Sequence, residues 1–137
     1  MEIGSGSGWL KQELIERGFS YTCIDLFPPA DIVGDINCWR NLGLKSEAFE
    51  VVVAFEVVEH VDCFQACHDL LAHGGKMFIT TPVPETDWIL KITEALGLNQ
   101  KRTSPHSNLV RLDDVALFPK RKIRIIMGLG QWAVFTK

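Results

Sequence analysis

The sequence lacks a long apolar run. Hydrophobic residues make up 47% of its 137 positions, but they occur in short stretches, whereas crossing a bilayer takes about 18 consecutive apolar residues. Residues 1–4 also lack the basic and apolar segments of a secretory signal. We therefore expect a soluble, cytoplasmic protein with no membrane contact.

The chain has no large excess of charge of one sign. It carries 14 Lys and Arg against 17 Asp and Glu, for a net charge of -3, which argues against a protein that coats nucleic acid through bulk electrostatics. We expect no nucleic-acid partner. The basic run at residues 119–124 could meet phosphate, although such runs more often form a solvated strand entry or a protected sheet edge.

The chain does not need disulfides, because one of this length can bury a core without them. The four cysteines are Cys23, Cys38, Cys63 and Cys67. Cys63 and Cys67 are spaced to share a helix face, with His60, His68 and His73 nearby, so a zinc site is conceivable. Two small apolar thiols packing on a sheet explain the spacing better, and we expect no metal.

What the sequence does contain is an alternation of β-rich runs and helical stretches, which indicates βαβ units around a mainly parallel sheet. After a short first strand, the predicted strands are residues 21–25, 30–33, 49–55, 75–81, 122–127 and 131–136. The run at 49–55 is apolar on both faces, which is typical of a central strand. The last two strands flank a glycine-rich turn and predict an antiparallel hairpin.

Three helices are predicted between these strands, at residues 9–17, 62–72 and 87–96. The first ends before Gly18, and the second begins at Asp62, a residue type that caps helix N-termini. The polar stretch at 98–108 predicts a surface loop that could form a lid or contact a substrate. We expect a single α/β domain over residues 1–137.

The glycine-rich N-terminus carries the most chemical information, and it reads Glu2-Ile3-Gly4-Ser5-Gly6-Ser7-Gly8. Alternate glycines between a strand and a helix let the backbone turn tightly and approach a ligand. An ordinary tight turn remains the alternative, and similar turns serve NAD and FAD. The dinucleotide fingerprint is G-x-G-x-x-G, however, and Trp9 stands where its third glycine is expected.

Two aspartates follow predicted strands. Asp25 lies 21 positions after Gly4, where a carboxylate can accept hydrogen bonds from both hydroxyls of a ribose; capping of the next turn is the alternative. Asp35 follows the third strand and could take the exocyclic amine of an adenine, or could serve its local turn.

In order and spacing these segments resemble the class I S-adenosylmethionine-dependent methyltransferases, particularly the group similar to ubiquinone- and menaquinone-biosynthesis methylases. The matching motifs are the glycine turn, Asp25, and residues 34–36, 49–61 and 70–82. The resemblance implies a Rossmann-like seven-stranded sheet, mostly parallel with the last strand antiparallel and helices on both faces. It also implies S-adenosylmethionine as cofactor and S-adenosylhomocysteine as product.

The resemblance further implies roles for the residues of the glycine turn. Gly4, Gly6 and Gly8 would line the methionine portion of the cofactor, and the amino-acid tail would lie over the backbone at Ser5. Glu2 would fix the loop and reach the cofactor's ammonium group through water.

Later motifs supply the rest of the implied site. Asp25 would hold the ribose, Leu26 would lie against the adenine face, and Asp35 with the Ile36 amide would read the adenine edge. Downstream, the residues implied to line the amino-acid end and the wall near the reactive methyl are Ala54, Phe55, Glu56 and the positions up to His60.

Methyl transfer from a sulfonium needs alignment of acceptor, methyl carbon and sulfur, with a base where the acceptor is protonated. His60 is the first candidate base because its pKa naturally lies near neutrality, and Glu59 is the second. Alternatively, both orient the helix that begins near Asp62. His106, in the polar loop, could also reach an acceptor.

The start of the chain departs from the family, whose members have a longer first strand and a helix before the glycine turn. Three explanations stay open: a shortened gene product, a partner chain or homodimer that supplies the cover, or a binding module with little turnover. An NAD-dependent oxidoreductase is disfavoured by Trp9. We expect a small-molecule acceptor, and weaker cofactor affinity than in full-length relatives.

Overall fold

The computed structural model describes residues 1–86 and 109–137. The predicted helix at 87–96 and the predicted loop at 98–108, with His106, lie outside the described residues. The described strands and helices, in chain order, are β1 (Glu2–Ile3), α1 (Trp9–Glu16), β2 (Cys23–Asp25), β3 (Ile32–Val33), β4 (Phe49–Phe55), α2 (Phe64–Leu70), β5 (Leu71–Pro82), β6 (Lys120–Ile126) and β7 (Gly130–Thr136).

The strands form one seven-stranded sheet in the order β3-β2-β1-β4-β5-β7-β6. β1 to β5 pair in parallel, while β7 runs antiparallel to both β5 and β6. This confirms the predicted Rossmann-like sheet with an antiparallel last strand. The chain moves outward from β1 to β3 and then returns to β4, so the strand order reverses between β1 and β4, where open α/β sheets bind ligands.

The two faces of the sheet differ in what covers them. On one face, which we call the core face, Phe135 of β7 packs against Phe64 of α2 and against Phe118, with ring centroids 6.4 and 5.1 Å away. On the opposite face, which we call the open face, Trp9 of α1 stacks on Phe55 at 6.4 Å. Helices therefore lie on both faces, as predicted.

The α2–β5 boundary differs from the prediction. The helical pattern predicted a helix through Ala72 and a break at the following glycines, but the helix ends at Leu70 and the strand begins at once. Leu71 pairs with Phe49 of β4, and Gly74 adopts a φ of 77° before the ladder resumes at Lys76. Sheet pairing thus overrides the local helical pattern, and Gly74 supplies the bend in the strand.

A buried glutamine of β7 joins the end of β5 to the segment around Val110 and Leu112. The Gln131 side-chain amide donates to Pro82 O at 3.0 Å and to Val110 O at 2.9 Å, and its oxygen accepts from Leu112 N at 2.9 Å. Pro82 is the last residue of β5, whereas Val110 and Leu112 lie in the segment before β6, so Gln131 fixes that segment to the sheet on the core face. Within the described residues, no helix is long and apolar enough to span a bilayer.

Candidate functional site

A cleft of about 580 Å³ opens at the carboxyl ends of β1, β2 and β4. The residues predicted to bind a cofactor that line it are Gly4, Gly6, Asp25, Leu26, Asp35, Ile36 and Glu56, and the candidate base His60 lines it too. Val57 also lines it, within the wall predicted from Glu56 to His60, whereas sequence reasoning assigned no lining role to Ile3, Ile24, Phe27, Gly34 and Val61. Most of these are apolar, and their strand and loop positions alone gave no signal of a binding role.

The backbone of the glycine turn requires glycine. Gly4, Gly6 and Gly8 have φ values of 71°, 49° and 74°, in the left-handed region that other residues rarely adopt. A Cβ at Gly4 would lie 2.5 Å from Val57 Cγ2. The turn therefore packs directly against the segment after β4, which closes one side of the cleft.

Asp25 ties the turn to the end of β2. One carboxylate oxygen accepts from Gly6 N at 3.1 Å, and the other accepts from Phe27 N at 3.2 Å. The capping alternative for Asp25 is thus observed, and the same carboxylate also faces the cleft. Because each carboxylate oxygen can accept more than one hydrogen bond, Asp25 retains capacity for hydroxyl donors of a ligand.

Beside Asp25 the cleft has an apolar rim. Leu26 is 61% exposed and Phe27 is 73% exposed, although large apolar side chains gain free energy from burial. Across the cleft, the Asp35 carboxylate accepts from Asn37 N at 2.9 Å and caps a short 3₁₀ turn that begins at Ile36. A flat, partly apolar ligand could rest between this rim and the Asp35 edge.

The opposite wall follows β4. Glu56 has a φ of 55°, and strained non-glycine residues of this kind cluster at functional sites. His60 lines the cleft, whereas Glu59 is buried behind it and accepts a 2.9 Å hydrogen bond from the Thr81 hydroxyl. Burial, reinforced by Glu56, raises the pKa of Glu59 to about 7.

The remaining predicted cofactor residues do not line the cleft. Glu2 is buried and accepts a hydrogen bond from the Tyr21 hydroxyl, and burial raises the pKa of its carboxyl. Ala54 is buried, and the Phe55 ring lies on the open face against Trp9. The Glu2 carboxylate therefore ties β1 to Tyr21, which lies just before β2.

The cysteines and histidines considered for zinc lie in different surroundings. Cys63, which precedes α2, and Cys67 on α2 are both buried, and the hydrogen bond that Cys67 shares with Cys63, together with burial, raises the pKa of the Cys67 thiol. His68 packs edge-on against Phe118, with ring centroids 5.4 Å apart. Among residues 1–86 and 109–137, no three potential metal ligands come close enough to hold an ion.

The cleft has features that fit an adenosine cofactor with an amino-acid tail. In the glycine turn, behind the residues that line the cleft, the Ser5 hydroxyl is buried and finds no hydrogen-bond partner within the described chain, which is costly unless something fills that role. The glycine turn leaves room for a ligand at its exposed positions Gly4 and Gly6. Asp25, Leu26 and Asp35 add an acceptor, an apolar surface and a second acceptor in one cleft.

Comparison with known proteins identifies relatives of this chain. A family described as a methyltransferase domain matches residues 1–117. The ubiquinone biosynthesis O-methyltransferase of Idiomarina loihiensis is 28% identical in an alignment 144 positions long, and that alignment covers 85% of this chain and 59% of that protein. The chain thus spans less than two thirds of the length of this relative.

Solved structures share the fold. The PH0226 protein of Pyrococcus horikoshii OT3 has a TM-score of 0.69 at 14% identity, covering 98% of this chain and 79% of that chain. A SAM-dependent methyltransferase from Archaeoglobus fulgidus has a TM-score of 0.68 at 14% identity, covering 99% of this chain and 84% of that chain. At such low identity the likeness establishes the architecture alone.

Proposed function

The chain belongs to the class I S-adenosylmethionine-dependent methyltransferase family, and from that membership we propose that it transfers a methyl group from S-adenosylmethionine to a small-molecule acceptor. The observation that carries the proposal is the joint placement of the glycine turn and Asp25. The Gly6 amide and the Asp25 carboxylate meet at 3.1 Å in the cleft where the strand order reverses.

In this proposal each part of the cleft binds a different part of the cofactor. The turn at Gly4 and Gly6 holds the amino-acid end, Asp25 accepts from the ribose hydroxyls, and Leu26 with Asp35 binds the adenine. When bound, the cofactor supplies an activated methyl on a sulfonium. The protein contributes alignment of the acceptor with that methyl.

His60 is the proposed base for an acceptor that must lose a proton. Its ring lines the cleft, on the segment that follows β4. Glu59 is enclosed and bonded to Thr81, so it acts by holding this segment against β5. We therefore assign the proton-accepting role to His60 and a positioning role to Glu59.

A thermal-shift comparison tests the cofactor assignment. S-adenosylhomocysteine should raise the melting temperature, whereas NAD at the same concentration should not, because only a true ligand stabilises the folded state. Mass spectrometry of the protein as purified gives an independent identification of a bound nucleoside. Stabilisation by NAD alone would point to an oxidoreductase and overturn the proposal.

A cofactor-binding module with little turnover is the second candidate, and the exposure of Leu26 and Phe27 at the cleft rim favours it. An open rim also supports our expectation that cofactor affinity is weaker than in full-length relatives. Calorimetry giving a submicromolar dissociation constant would contradict that expectation. Formation of S-adenosylhomocysteine in the presence of candidate acceptors separates an enzyme from a binding module.

A further inference from the structure

The described lining of the cleft is acidic. The carboxylates of Asp25, Asp35 and Glu56 lie along it, and its described lining residues include no Lys or Arg. Asp25 and Asp35 both accept hydrogen bonds from backbone amides, which offset part of their charge. Glu56 forms no ion pair with a Lys or Arg of the described chain. Glu56 therefore contributes a negative charge that no described cation neutralises.

The backbone places Glu56 where the β4 wall meets the glycine turn. Glu56 follows β4 directly, and its N–H donates to Thr80 O at 2.9 Å. Its φ of 55° turns the chain out of the ladder, and the next residue, Val57, packs against Gly4. The Glu56 carboxylate therefore lines the cleft beside the turn.

A second carboxyl group lies behind Glu56. Glu59 is buried, accepts a hydrogen bond from the Thr81 hydroxyl at 2.9 Å, and also shares a hydrogen bond with the Glu56 side chain. Two carboxyl groups in contact share a proton, and burial favours the neutral form, so the proton resides on Glu59. Glu59 therefore donates to Glu56 and holds it in place, while Glu56 keeps its negative charge on the cleft side.

Methyl transfer changes the charge of the proposed cofactor. S-adenosylmethionine carries a sulfonium besides the ammonium and carboxylate of its tail. When the methyl group leaves, the bonding electron pair stays on sulfur, so S-adenosylhomocysteine has a neutral thioether and one positive charge fewer. A carboxylate close to the sulfur therefore attracts the charged form and gains nothing comparable from the neutral one.

The connectivity of the cofactor limits where its sulfur can lie. The sulfur joins the ribose to the amino-acid tail, and the proposed function assigns these parts to Asp25 and to the turn at Gly4 and Gly6. The sulfur should therefore lie between Asp25 and the turn, in the part of the cleft that Glu56 and Val57 border.

We propose that Glu56 is a specificity-determining residue that favours the positively charged cofactor over the neutral product. Its carboxylate, held by Glu59, attracts the sulfonium and so promotes replacement of the spent cofactor by a fresh one. This inference rests on the proposed function, because it requires the nucleoside to bind in the cleft. It goes further by assigning the choice between the two nucleosides to one side chain.

Calorimetric titration of the complete chain tests the inference with three nucleosides. S-adenosylmethionine and sinefungin both carry the additional positive charge, sinefungin as an amine in place of the sulfonium, whereas S-adenosylhomocysteine lacks it. No acceptor is present, so binding is measured without turnover. The parent protein should bind both charged nucleosides at least about threefold more tightly than S-adenosylhomocysteine, and added NaCl should reduce this preference because salt screens charge.

Three variants separate the charge of Glu56 from its structural contribution. Glu56→Gln should weaken both charged nucleosides about fivefold or more and S-adenosylhomocysteine less than about twofold. Glu56→Asp keeps the charge and should retain most of the preference. Glu50→Gln makes the same change at an exposed position on β4 outside the cleft and should bind all three like the parent. Circular dichroism melts check that each variant is folded.

The possible failures are distinguishable. Equal loss of affinity for all three nucleosides in Glu56→Gln would make Glu56 a structural part of the cleft, which overturns the inference and leaves the proposed function intact. Unchanged affinities in that variant would overturn the inference as well, and so would a parent protein with no preference at low salt. A parent protein that binds none of the three nucleosides would overturn the proposed function, and this inference with it.

Discussion

At the scale of single residues, Asp25 links local structure with the proposed binding role. Its carboxylate accepts from Gly6 N and Phe27 N and therefore shapes both the glycine turn and the rim of the cleft. The same negative charge is the proposed acceptor for two ribose hydroxyls. A substitution at this position removes both contributions together.

We predict that Asp25→Ala weakens binding of S-adenosylhomocysteine by about 1.5–3 kcal/mol, the usual contribution of hydrogen bonds to a charged group. Isothermal titration calorimetry measures the change. Asp113→Ala removes an exposed carboxylate outside the cleft and serves as the matched control. Unchanged affinity of the Asp25 variant would show that the nucleoside binds elsewhere.

Glu59 gives a prediction about pH. Burial raises its folded-state pKa from 4.5 to about 7, so between these values the folded state keeps a proton that the unfolded state has lost. Rising pH therefore lowers stability through this window, by about 1–3 kcal/mol. Glu59→Gln stays neutral and can still accept the Thr81 hydrogen bond, so it should lose less stability between pH 4.5 and 7.

Urea unfolding at pH 5 and pH 8 measures this difference. Glu50→Gln, at an exposed position on β4, is the control and should follow the parent protein. An equal fall in stability for the parent and Glu59→Gln would mean that the Glu59 carboxyl is ionised in the folded protein throughout.

At the scale of elements, the glycine turn depends on both conformation and space. We predict that Gly4→Ala destabilises the fold more than Gly18→Ala by about 1–3 kcal/mol. Both glycines have positive φ, 71° and 83°, but only the new Cβ at Gly4 meets another side chain, at 2.5 Å. Thermal unfolding compares the two variants, and equal destabilisation would exclude the Val57 contact as a cause.

The Gln131 amide holds elements together on the core face. Gln131→Leu should destabilise the protein by about 2–4 kcal/mol because Leu112 N, Pro82 O and Val110 O lose their buried partner. Gln65→Leu removes an exposed amide on α2 and should change stability by less than about 0.5 kcal/mol. Urea denaturation measures both, and a neutral Gln131→Leu would show that water replaces the amide.

At the scale of the whole molecule, the fold buries three of the four cysteine thiols and leaves one accessible to solvent. Cys23, Cys63 and Cys67 are buried, whereas Cys38 is exposed. We predict that an alkylating reagent modifies Cys38 rapidly in the native protein and all four thiols after unfolding. Mass spectrometry of the labelled protein checks this, and rapid labelling of Cys63 or Cys67 would show that α2 does not pack on the sheet as described.

The sequence predicted those parts of the fold that depend on short-range patterns. The bounds of β4 are as predicted because a run apolar on both faces fits only a covered central strand. The β6–β7 hairpin was predicted from the glycines at 128 and 130. The observed strand ends lie within two residues of the predicted ones. The α2–β5 boundary was wrong because it depends on pairing with Phe49, a distant residue.

In the candidate site, too, the sequence predicted some residues and the structure alone revealed others. The spacing of Gly4, Gly6 and Asp25 predicted that they share a binding site, and they do lie together in the cleft. The burial of Glu59 behind the cleft and the contribution of Phe27 to its rim depend on tertiary packing. The sequence carries no periodic or spacing signal for such contacts, so they had to come from the structure.

The order of the strands has a consequence for the tendency of the protein to aggregate. The two outermost strands of an open sheet carry unpaired peptide groups that could recruit further chains into aggregates. At one end β3 has only two residues, too few to template an incoming strand. At the other end β6 begins with Lys120, Arg121 and Lys122, whose mutual repulsion with a like strand opposes stacking of one molecule onto the next.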